Sequence, residues 1–486
     1  MARHQPPHSG GESPLDSYYK APLVHSDVQR RTVFPIKTDP SQDDKAVEIK
    51  LLSVARPHMR AFHYAWLSFF FAFFGWFSIP PLMPTIKKQL GLTADQVSNS
   101  NIVSVSSTIL GRAIGGPMCD RYGSRTVQAV LLVVGAIPVA SASLVTSYTG
   151  LMFARFFIGL VGCSFIATTY WTSTMFSKEV VGSANALAAG WGNLGAGATT
   201  LITPQLFNLV TTGGALSDNM GWRVALLFPA LFMVITGIAL YFNSDDCPQG
   251  QYKEVELTVK MDLKEGMTRV SKMPVTWVLA FQYACSFGVE LQMHNVLSLY
   301  YYEDFVHPNC DVNSAANACR QLTQSSATLI SSLFGIMCIF ARALGGYLSD
   351  VASQRYGMKG RIAVQLVFFA GQTVFLYGFS TTKTVSTSIP LLVLFGIFVQ
   401  GCTGSTYAIV PYVLPEYTGA TSGFVGAGGN VGALAWAFLF KGVGDRAKSF
   451  AYLSIFVAVA TMSSLGIKVN GERTLWSKER LIEEGK

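Results

Sequence analysis

The amino-acid sequence consists mainly of apolar runs separated by short polar connections. Each run has about 20 residues or more, the length that a helix needs to cross a hydrocarbon layer about 30 Å thick. Half of the 486 residues are hydrophobic and only 13% are charged, more apolar surface than a water-soluble fold can bury. The pattern predicts an all-α membrane protein. The twelve runs lie near 62–84, 100–119, 126–147, 149–174, 182–210, 223–242, 274–300, 323–348, 362–380, 388–414, 419–440 and 449–467.

A polar stretch divides the twelve runs into two groups of six. We expect two six-helix halves joined by a cytoplasmic central loop, because basic residues concentrate in this loop and in the other connections on its side. The loop that contains Cys310 and Cys319 then faces an oxidising compartment, where the two cysteines form either a disulfide or free thiols. The expected segments are a disordered cytoplasmic tail (1–60), the N-terminal half (61–242), the central loop (243–273), the C-terminal half (274–468) and a cytoplasmic C-terminal tail (469–486).

Two short segments recur in the same order in the two halves. Residues 111–116 and 341–346 read GRAIGG and ARALGG, 230 residues apart. Residues 192–196 and 429–433 read GNLGA and GNVGA. Such matches indicate a duplicated six-helix unit, which places a substrate site near the middle of the bilayer, between the repeats. Chance similarity between apolar segments is the alternative.

Charged residues within the apolar runs are rare, since placing one at a helix centre costs about 2.5–3.5 kcal/mol or more. Arg112 and Arg342 occupy equivalent positions in the second run of each half, and we expect both to face a central cavity. A guanidinium is planar, permanently charged and carries paired N–H donors, which fit a planar oxyanion such as nitrate or a carboxylate. The pair therefore predicts an anion site. Alternatively, Glu290 or helix C-terminal carbonyl groups neutralise the two arginines structurally.

The fifth run of each half contains a glycine-rich segment. Residues 190–195 read GWGNLG, a formal match to a nucleotide-binding loop, but no βαβ unit surrounds them, so the glycines more naturally permit close helix packing. Asn193 and Asn430 lie within these segments and either hydrogen-bond across helices or contact substrate. The glycines concerned are Gly190, Gly192, Gly195, Gly426, Gly428, Gly429 and Gly432.

The seventh run combines aromatic and ionisable side chains. Tyr283, Phe287 and Glu290 follow one another at helical spacing on one face, and His294 adds a further turn. An aromatic stripe usually packs helices together, but this one shares its face with a carboxylate inside the bilayer. Glu290 and His294 are candidate proton carriers, and Arg155 in the fourth run is expected to shape their local field.

Several segments resemble known families. The loop after the second run resembles the loop motif of the major facilitator superfamily, and Arg155 with Gly159 resembles that superfamily's fourth-helix motif. Residues 188–197 and 426–436 resemble the paired nitrate signatures of the nitrate/nitrite porter family. Residues 55–70 and 170–176 are similar to the plant and algal high-affinity nitrate transporters, and the likeness covers nearly all of the chain after residue 50. The loop-motif residues are Gly116, Asp120, Arg121, Gly123 and Arg125.

The resemblance implies a twelve-helix major facilitator fold of two six-helix repeats that transports nitrate, and also nitrite in some members. It implies that Arg112 and Arg342 clamp the anion. Eukaryotic members are similar in using proton symport, whereas some bacterial relatives exchange nitrate for nitrite. Some members work with a small single-span accessory protein, and the plasma membrane is the usual location. The residues that would line the pocket are Asn193, Asn430, Tyr283, Phe287 and Phe165.

The distribution of charge and of reactive side chains bears on other possible functions. The formal net charge is +8, but the basic residues lie in short loops rather than on one face, so we expect no nucleic-acid partner. Because no catalytic group or metal-spaced Cys/His cluster can be assembled, we expect no enzyme activity, cofactor or metal. A nitrate/nitrite exchanger, a carrier of another small anion and a transporter-like nitrate sensor remain alternatives.

Overall fold

The computed structural model describes residues 23–24, 33–177, 180–251, 255–256, 263–307, 319–414, 417–469 and 475. Helices fill most of these residues. The strands among them are two-residue pieces that form two antiparallel pairs. These pairs are Leu23–Val24 with Val255–Glu256, and Thr38–Asp39 with Lys45–Ala46.

Twelve helical spans can be traced within the described residues. Spans 1 to 6 are His58–Leu90, Ala94–Tyr122, Ser124–Leu144, Tyr148–Met175, Val181–Thr211 and Asp218–Asn243. Spans 7 to 12 are 274–303, 324–356, 357–380, Val385–Tyr412, Thr418–Val443 and Arg446–Gly466. Spans 8 and 9 follow each other directly and are separated at Gly357, whose φ of 58° breaks the helix. We call spans 1 to 6 the first half and spans 7 to 12 the second half.

Apolar spans surround polar ones. Eight helical stretches among the described residues are long and apolar enough to cross a membrane, and they comprise every span except 2, 5 and 7. These three spans carry Ser, Asn, Gly and charged residues, and many of their polar side chains are buried against protein. In span 7 every residue of Val289–Tyr301 is buried. The polar helices therefore line the interior of the bundle, where their side chains avoid lipid.

Glycines allow the central helices to touch. In span 5 a Cβ on Gly195 would lie 2.0 Å from the carbonyl oxygen of Phe70 in span 1. In span 11 a Cβ on Gly432 would lie 2.4 Å from Cβ of Ala284 in span 7. Each half thus uses the same device, in which glycines of its fifth helix press against its first helix.

Residues 33–57 lie on the first half, although the sequence placed them in a disordered tail. Thr38–Asp39 and Lys45–Ala46 form a hairpin whose Ala46 is fully buried, and the carbonyl oxygen of Ala46 accepts from Ser177 N at 2.9 Å. Lys45 Nζ donates to the carbonyl oxygen of Ser173 at 3.1 Å. Burial of Ile36 and Ala46 gives the segment an apolar anchor that its polar composition does not suggest.

The loop-motif residues lie between spans 2 and 3. Gly123 has a φ of 79°, which permits the tight reversal between the two helices. Arg125 donates from its backbone nitrogen and its Nε to Asp246, at 2.9 and 3.3 Å, and so ties the loop to the end of span 6. Arg121 lies over the ring of Tyr122. Gly116 is half-buried, and the side chain of Asp120 lies outside what the structure describes.

Hydrogen bonds join the two halves at the end of the bundle opposite the central loop, which we call the far end. Lys87 Nζ of span 1 donates to Glu303 Oε1 of span 7 at 2.6 Å. Thr85 Oγ1 donates to Gln324 Oε1 of span 8, also at 2.6 Å. Arg446 donates to Glu303 at 2.7 Å and holds it towards Lys87. The far end is therefore closed in this structure.

Of the two cysteines predicted to pair, Cys319 lies at the far end within the described residues. Cys319 is disulfide-bonded. Its predicted partner, Cys310, lies outside the described residues, so that pairing stays a prediction. At the same end, burial raises the pKa of Asp304 to about 6, while an ion pair with Arg446 opposes that rise.

Candidate anion site between the two halves

The structure brings Arg112 and Arg342 to one aromatic ring. The guanidinium carbon of Arg112 lies 5.5 Å from the centroid of Phe287, and that of Arg342 lies 5.7 Å from it. Arg112 also lies 5.1 Å from the Phe165 ring, which stacks on Phe287 at 6.3 Å. Both arginines are buried, with 9% and 3% of their surface exposed. Two cations thus share an aromatic wall that draws one helix from the first half and one from the second.

A π-helical turn positions Phe287. Residues Ala284–Gly288 form this turn in the middle of span 7. Such turns leave backbone carbonyl groups without their usual helical partners, and they occur often at functional sites. Here Trp436 Nε1 donates to the carbonyl oxygen of Ala284 at 2.7 Å, and Gln372 Nε2 donates to that of Cys285 at 2.6 Å. Neighbouring helices therefore stabilise the distortion that presents Phe287 to the arginines.

Arg342 already has a carboxylate partner. Its Nη2 donates to Glu290 Oε2 at 2.8 Å, and Glu290 is fully buried. The second carboxylate oxygen of Glu290 accepts from the Cys338 thiol at 3.4 Å. This is the structural neutralisation that the sequence left open as an alternative, and it applies to one arginine of the pair.

Arg112 is placed differently. Its Nε donates to the carbonyl oxygen of Gly162 at 3.4 Å, and its Nη2 has no hydrogen-bond partner. Within the part of the chain that the structure describes, Arg112 forms no salt bridge. A buried guanidinium without a counter-ion is costly, so the site attracts an anion.

The asymmetry follows from how spans 1 and 7 correspond. Gly195 packs on Phe70 as Gly432 packs on Ala284, and Gly192 packs on Phe69 as Gly429 packs on Tyr283. Corresponding residues of spans 1 and 7 are therefore separated by the same number of positions in the chain, since 284 − 70 and 283 − 69 are each 214.

At the same offset, Glu290 aligns with Trp76, because 290 − 76 is also 214, and the extra residue of the π-helical turn in span 7 shifts this match by at most one position, to Gly75. Trp76 Nε1 donates to Ser104 Oγ at 2.9 Å, and its indole supplies no negative charge. The first half therefore places an indole where the second half places the carboxylate that pairs with its arginine.

Asn193 and Asn430 lie in spans 5 and 11 with equivalent bonds. Asn193 Nδ2 donates to the carbonyl oxygen of Ala189 at 2.9 Å, and Asn430 Nδ2 donates to that of Gly426 at 3.3 Å. Their Oδ1 atoms are buried without partners. In this conformation both amides present acceptors, which suit an arginine N–H or a water molecule rather than a nitrate oxygen.

The remaining predicted site residues surround these groups. The Tyr283 ring stacks on Phe287 at 5.2 Å and meets Tyr407 edge-on at 5.1 Å. The signature glycines give room for backbone and ring contacts: a Cβ on Gly190 would lie 3.1 Å from the Cys338 carbonyl oxygen, and one on Gly426 would lie 3.0 Å from the Tyr407 hydroxyl.

The three candidate proton-coupling residues have separate surroundings. Glu290 bonds Arg342. His294, one turn further along span 7, lies between the rings of Phe77 and Phe334, and its Nε2 has no hydrogen-bond partner. Arg155 is fully buried and bonds two asparagines. Only Glu290 therefore touches an arginine of the candidate site.

Several residues that define the site could not be recognised from the sequence. Trp76 gave no signal because it is one of many aromatic residues in an apolar run. Asn101 and Asn295, which bond Arg155, could have been noticed as amides within helical spans. The ring of Tyr407 in span 10 meets that of Tyr283 in span 7 edge-on, and only the packing of these two spans reveals this contact.

Comparisons with known proteins agree with this architecture. Residues 65–437 match the Major Facilitator Superfamily. The chain belongs to that superfamily. It is therefore a multi-pass membrane transporter, which confirms the predicted fold class. A bacterial homolog to the human lysosomal transporter Spinster, in an inward-facing conformation, superposes with a TM-score of 0.60 at 13% identity, over 84% of this chain and 97% of that one.

Curated relatives narrow the family further. High affinity nitrate transporter 2.5 of Arabidopsis thaliana is 36% identical over 85% of this chain and 79% of its own length. Nitrate transporter 2.2 of Chlamydomonas reinhardtii is 32% identical over 87% and 82%. Nitrate/nitrite transporter NrtP of a Picosynechococcus strain is 25% identical over 77% and 83%. The predicted resemblance to plant and algal high-affinity nitrate transporters is thus confirmed.

Proposed function

We propose that this protein is a secondary active transporter of nitrate, with nitrite as a second substrate, and that it works by proton-coupled symport. The observation that carries the proposal is the buried Arg112 guanidinium, which shares the Phe287 ring with Arg342 and lacks a salt bridge within the described residues. The names of the relatives supply the two substrates.

The site suits a small planar anion. Arg112 Nη2 and Arg342 Nε have no partners, so donors from both halves remain for an anion between them. Guanidinium N–H groups bind planar oxyanions in pairs, and the rings of Phe165 and Phe287 exclude water, which strengthens those bonds. Because each half contributes one arginine, a bound nitrate links the halves, as alternating access requires.

Glu290 supplies a reason for proton coupling. Arg112 and Arg342 contribute two positive charges and Glu290 one negative charge, so the empty site carries one net positive charge. If nitrate binds while Glu290 takes a proton, the net charge stays the same, because nitrate replaces the carboxylate on Arg342. Glu290 thus acts as an internal substitute for nitrate in the empty carrier, and protonation releases Arg342 to the substrate.

The membrane potential sets the number of protons. A monovalent anion entering a negative interior is opposed by about 2.3 kcal/mol per 100 mV. One proton per nitrate makes the step electroneutral, and two protons let the potential drive uptake. His294 is the candidate for the second proton, because it is buried one turn from Glu290 and its Nε2 has no hydrogen-bond partner.

The proposal also includes an orientation in the membrane and a cellular location. We place both termini and the central loop in the cytoplasm and the protein in the plasma membrane, because basic residues concentrate on the central-loop side. The two six-helix halves then rock about the arginine site, with the far end facing outward. A small single-span accessory protein is part of the proposal by family resemblance alone.

Uptake of ¹⁵N-nitrate into proteoliposomes tests the proposed function. We expect wild-type uptake to rise with an inward proton gradient, and Arg112→Lys and Arg342→Lys each to lose most of it, because an ammonium cannot form the paired bonds of a guanidinium. Full activity in both variants would refute the arginine site. Uptake that requires internal nitrite would indicate an exchanger, acetate competition would indicate a general anion carrier, and binding without uptake would indicate a sensor.

A further inference from the structure

Arg155 is a third buried guanidinium, outside the Arg112–Arg342 site. It lies in span 4, is fully buried and forms no salt bridge within the described residues. Its Nη2 donates to Asn101 Oδ1 of span 2 and to Asn295 Oδ1 of span 7, the latter at 3.1 Å. Its Nε and Nη1 have no partners. Two neutral amide oxygens are weak compensation for a buried cation, which is the condition in which an anion binds.

A cavity at the far end reaches the two amides that bond this guanidinium. It has a volume of about 80 Å³ and lies between spans 2, 7 and 11. Asn101 and Asn295, the two amides that hold Arg155, form part of its wall. Since a water molecule takes about 30 Å³ of liquid, the cavity has room for an ion of a few atoms. The other polar lining residues are Asp95, Ser98, Gln292, Lys441 and Arg446.

The charges at the cavity favour an anion at its inner part. Arg446 is already paired with Glu303 and Asp304. The other two charged residues of the outer part, Lys441 and Asp95, have opposite signs, so the net charge there is small. The inner part is lined by Asn101 and Asn295, with Arg155 directly behind them, and has no carboxylate among the described residues. Asn101 lies seven residues along span 2 from Ala94, about 10 Å deeper at the helical rise of 1.5 Å per residue.

We propose that Arg155, Asn101 and Asn295 form a second site for a small monovalent oxyanion. This second site lies between the far end and the Arg112–Arg342 site, and the anion occupies it on its way from one to the other. This inference rests on the proposed function and deepens it. The arriving anion replaces the two amide oxygens on Arg155, and it brings a full negative charge to the guanidinium, whereas an amide oxygen offers only the end of a dipole. Asn295 is five residues from Glu290 towards the far end, about 7.5 Å by helical rise, so the two sites follow each other along span 7.

The bond from Arg155 to Asn295 also crosses between the two halves. An anion that takes the place of Asn295 removes this link while it occupies the second site. The second site therefore both receives the anion and loosens the contact between the halves. Ions commonly move through membrane proteins in steps between weak sites, each strong enough to attract and weak enough to release.

Counting bound nitrate tests the proposal. Purified full-length protein is dialysed against millimolar ¹⁵N-nitrate in a chloride-free gluconate buffer, and bound nitrate per chain is measured. We expect two nitrates for wild type and one for the double variant Arg112→Met, Arg342→Met. One nitrate for wild type and none for the double variant would overturn the second site and leave the proposed function intact. No binding by wild type would overturn both.

A variant that keeps Arg155 separates the second site from a folding defect. Asn101→Asp puts a carboxylate at the existing bond, so Arg155 gains a permanent counter-ion in place of nitrate. We expect one nitrate per chain, an unfolding temperature no lower than that of wild type, and second-site affinity at least tenfold weaker. The control is Asn99→Asp, which adds the same charge to the same helix. Asn99 Nδ2 donates to the Tyr148 hydroxyl, away from Arg155, so this variant should still bind two nitrates per chain. Two nitrates in Asn101→Asp would also overturn the proposal.

Discussion

Trp76 in the first half aligns, to within one residue, with Glu290 in the second half. The equivalence follows from the packing of the glycine segments on spans 1 and 7. The Trp76 indole donates to Ser104, whereas the Glu290 carboxylate accepts from Arg342. One arginine of the pair is therefore held by a group that can be protonated, and the other is free for substrate. A repeat with identical halves would have two free arginines or none.

A carboxylate at position 76 should pair with Arg112. We expect Trp76→Glu to weaken nitrate binding by at least about tenfold, or 1.4 kcal/mol, because nitrate must displace the new carboxylate. Isothermal titration calorimetry at neutral pH measures the change. Trp76→Gln has the same shape without the charge and controls for the loss of the indole. Equal weakening in both variants would show that packing, not charge, is responsible.

The Phe287 ring should contribute directly to binding. Phe287→Leu removes the face that Arg112 and Arg342 share, so their positions become less defined. A cation–π contact is worth about 0.5–2 kcal/mol, which corresponds to a rise in KM of about 2- to 30-fold. Initial rates of nitrate uptake give the KM. Phe334→Leu, a buried ring of span 8 beside His294, is the matched control and should change KM less. A normal KM in Phe287→Leu would contradict the arrangement.

The ion pair at the far end should hold that end closed. Lys87→Met removes the bond to Glu303, a partly buried pair worth about 0.5–1 kcal/mol, so the open population should rise about two- to fivefold. Spin labels at Leu209 and Val306, which are exposed in opposite halves, report the distance by pulsed electron resonance. Lys88→Met removes a neighbouring exposed charge and should leave the distances unchanged. An unchanged distribution in Lys87→Met would show that other contacts close the far end.

Glycine contacts in span 5 should differ sharply between positions. A methyl group at Gly195 meets the Phe70 backbone oxygen at 2.0 Å, whereas nothing lies within 4 Å at Gly182. We expect Gly195→Ala to reduce the amount of folded protein and its unfolding temperature, and Gly182→Ala to change neither. Size-exclusion profiles and thermal unfolding in detergent measure both. Tolerance of Gly195→Ala would contradict the close packing of spans 1 and 5.

The sequence predicts the large-scale features well, because each depends on few residues. Apolar run length predicts the spans, and the rarity of intramembrane charge points to Arg112 and Arg342. The pairing of Arg342 with Glu290 was not predictable, since it depends on which faces of spans 7 and 8 meet. Trp76 was also hidden: the repeats are offset by 230 residues in spans 2 and 8 but by 214 in spans 1 and 7, and loops of unequal length cause the difference.

Nitrate transport by Glu290→Gln, with and without an inward proton gradient, tests the central claim most directly. Glutamine can still accept from Arg342 but carries no charge and takes up no proton. We predict that wild-type uptake rises with an inward proton gradient, whereas Glu290→Gln still binds nitrate, exchanges nitrate for nitrate and loses uptake driven by a proton gradient. If Glu290→Gln keeps proton-driven uptake at the wild-type level, then Glu290 does not couple protons to nitrate.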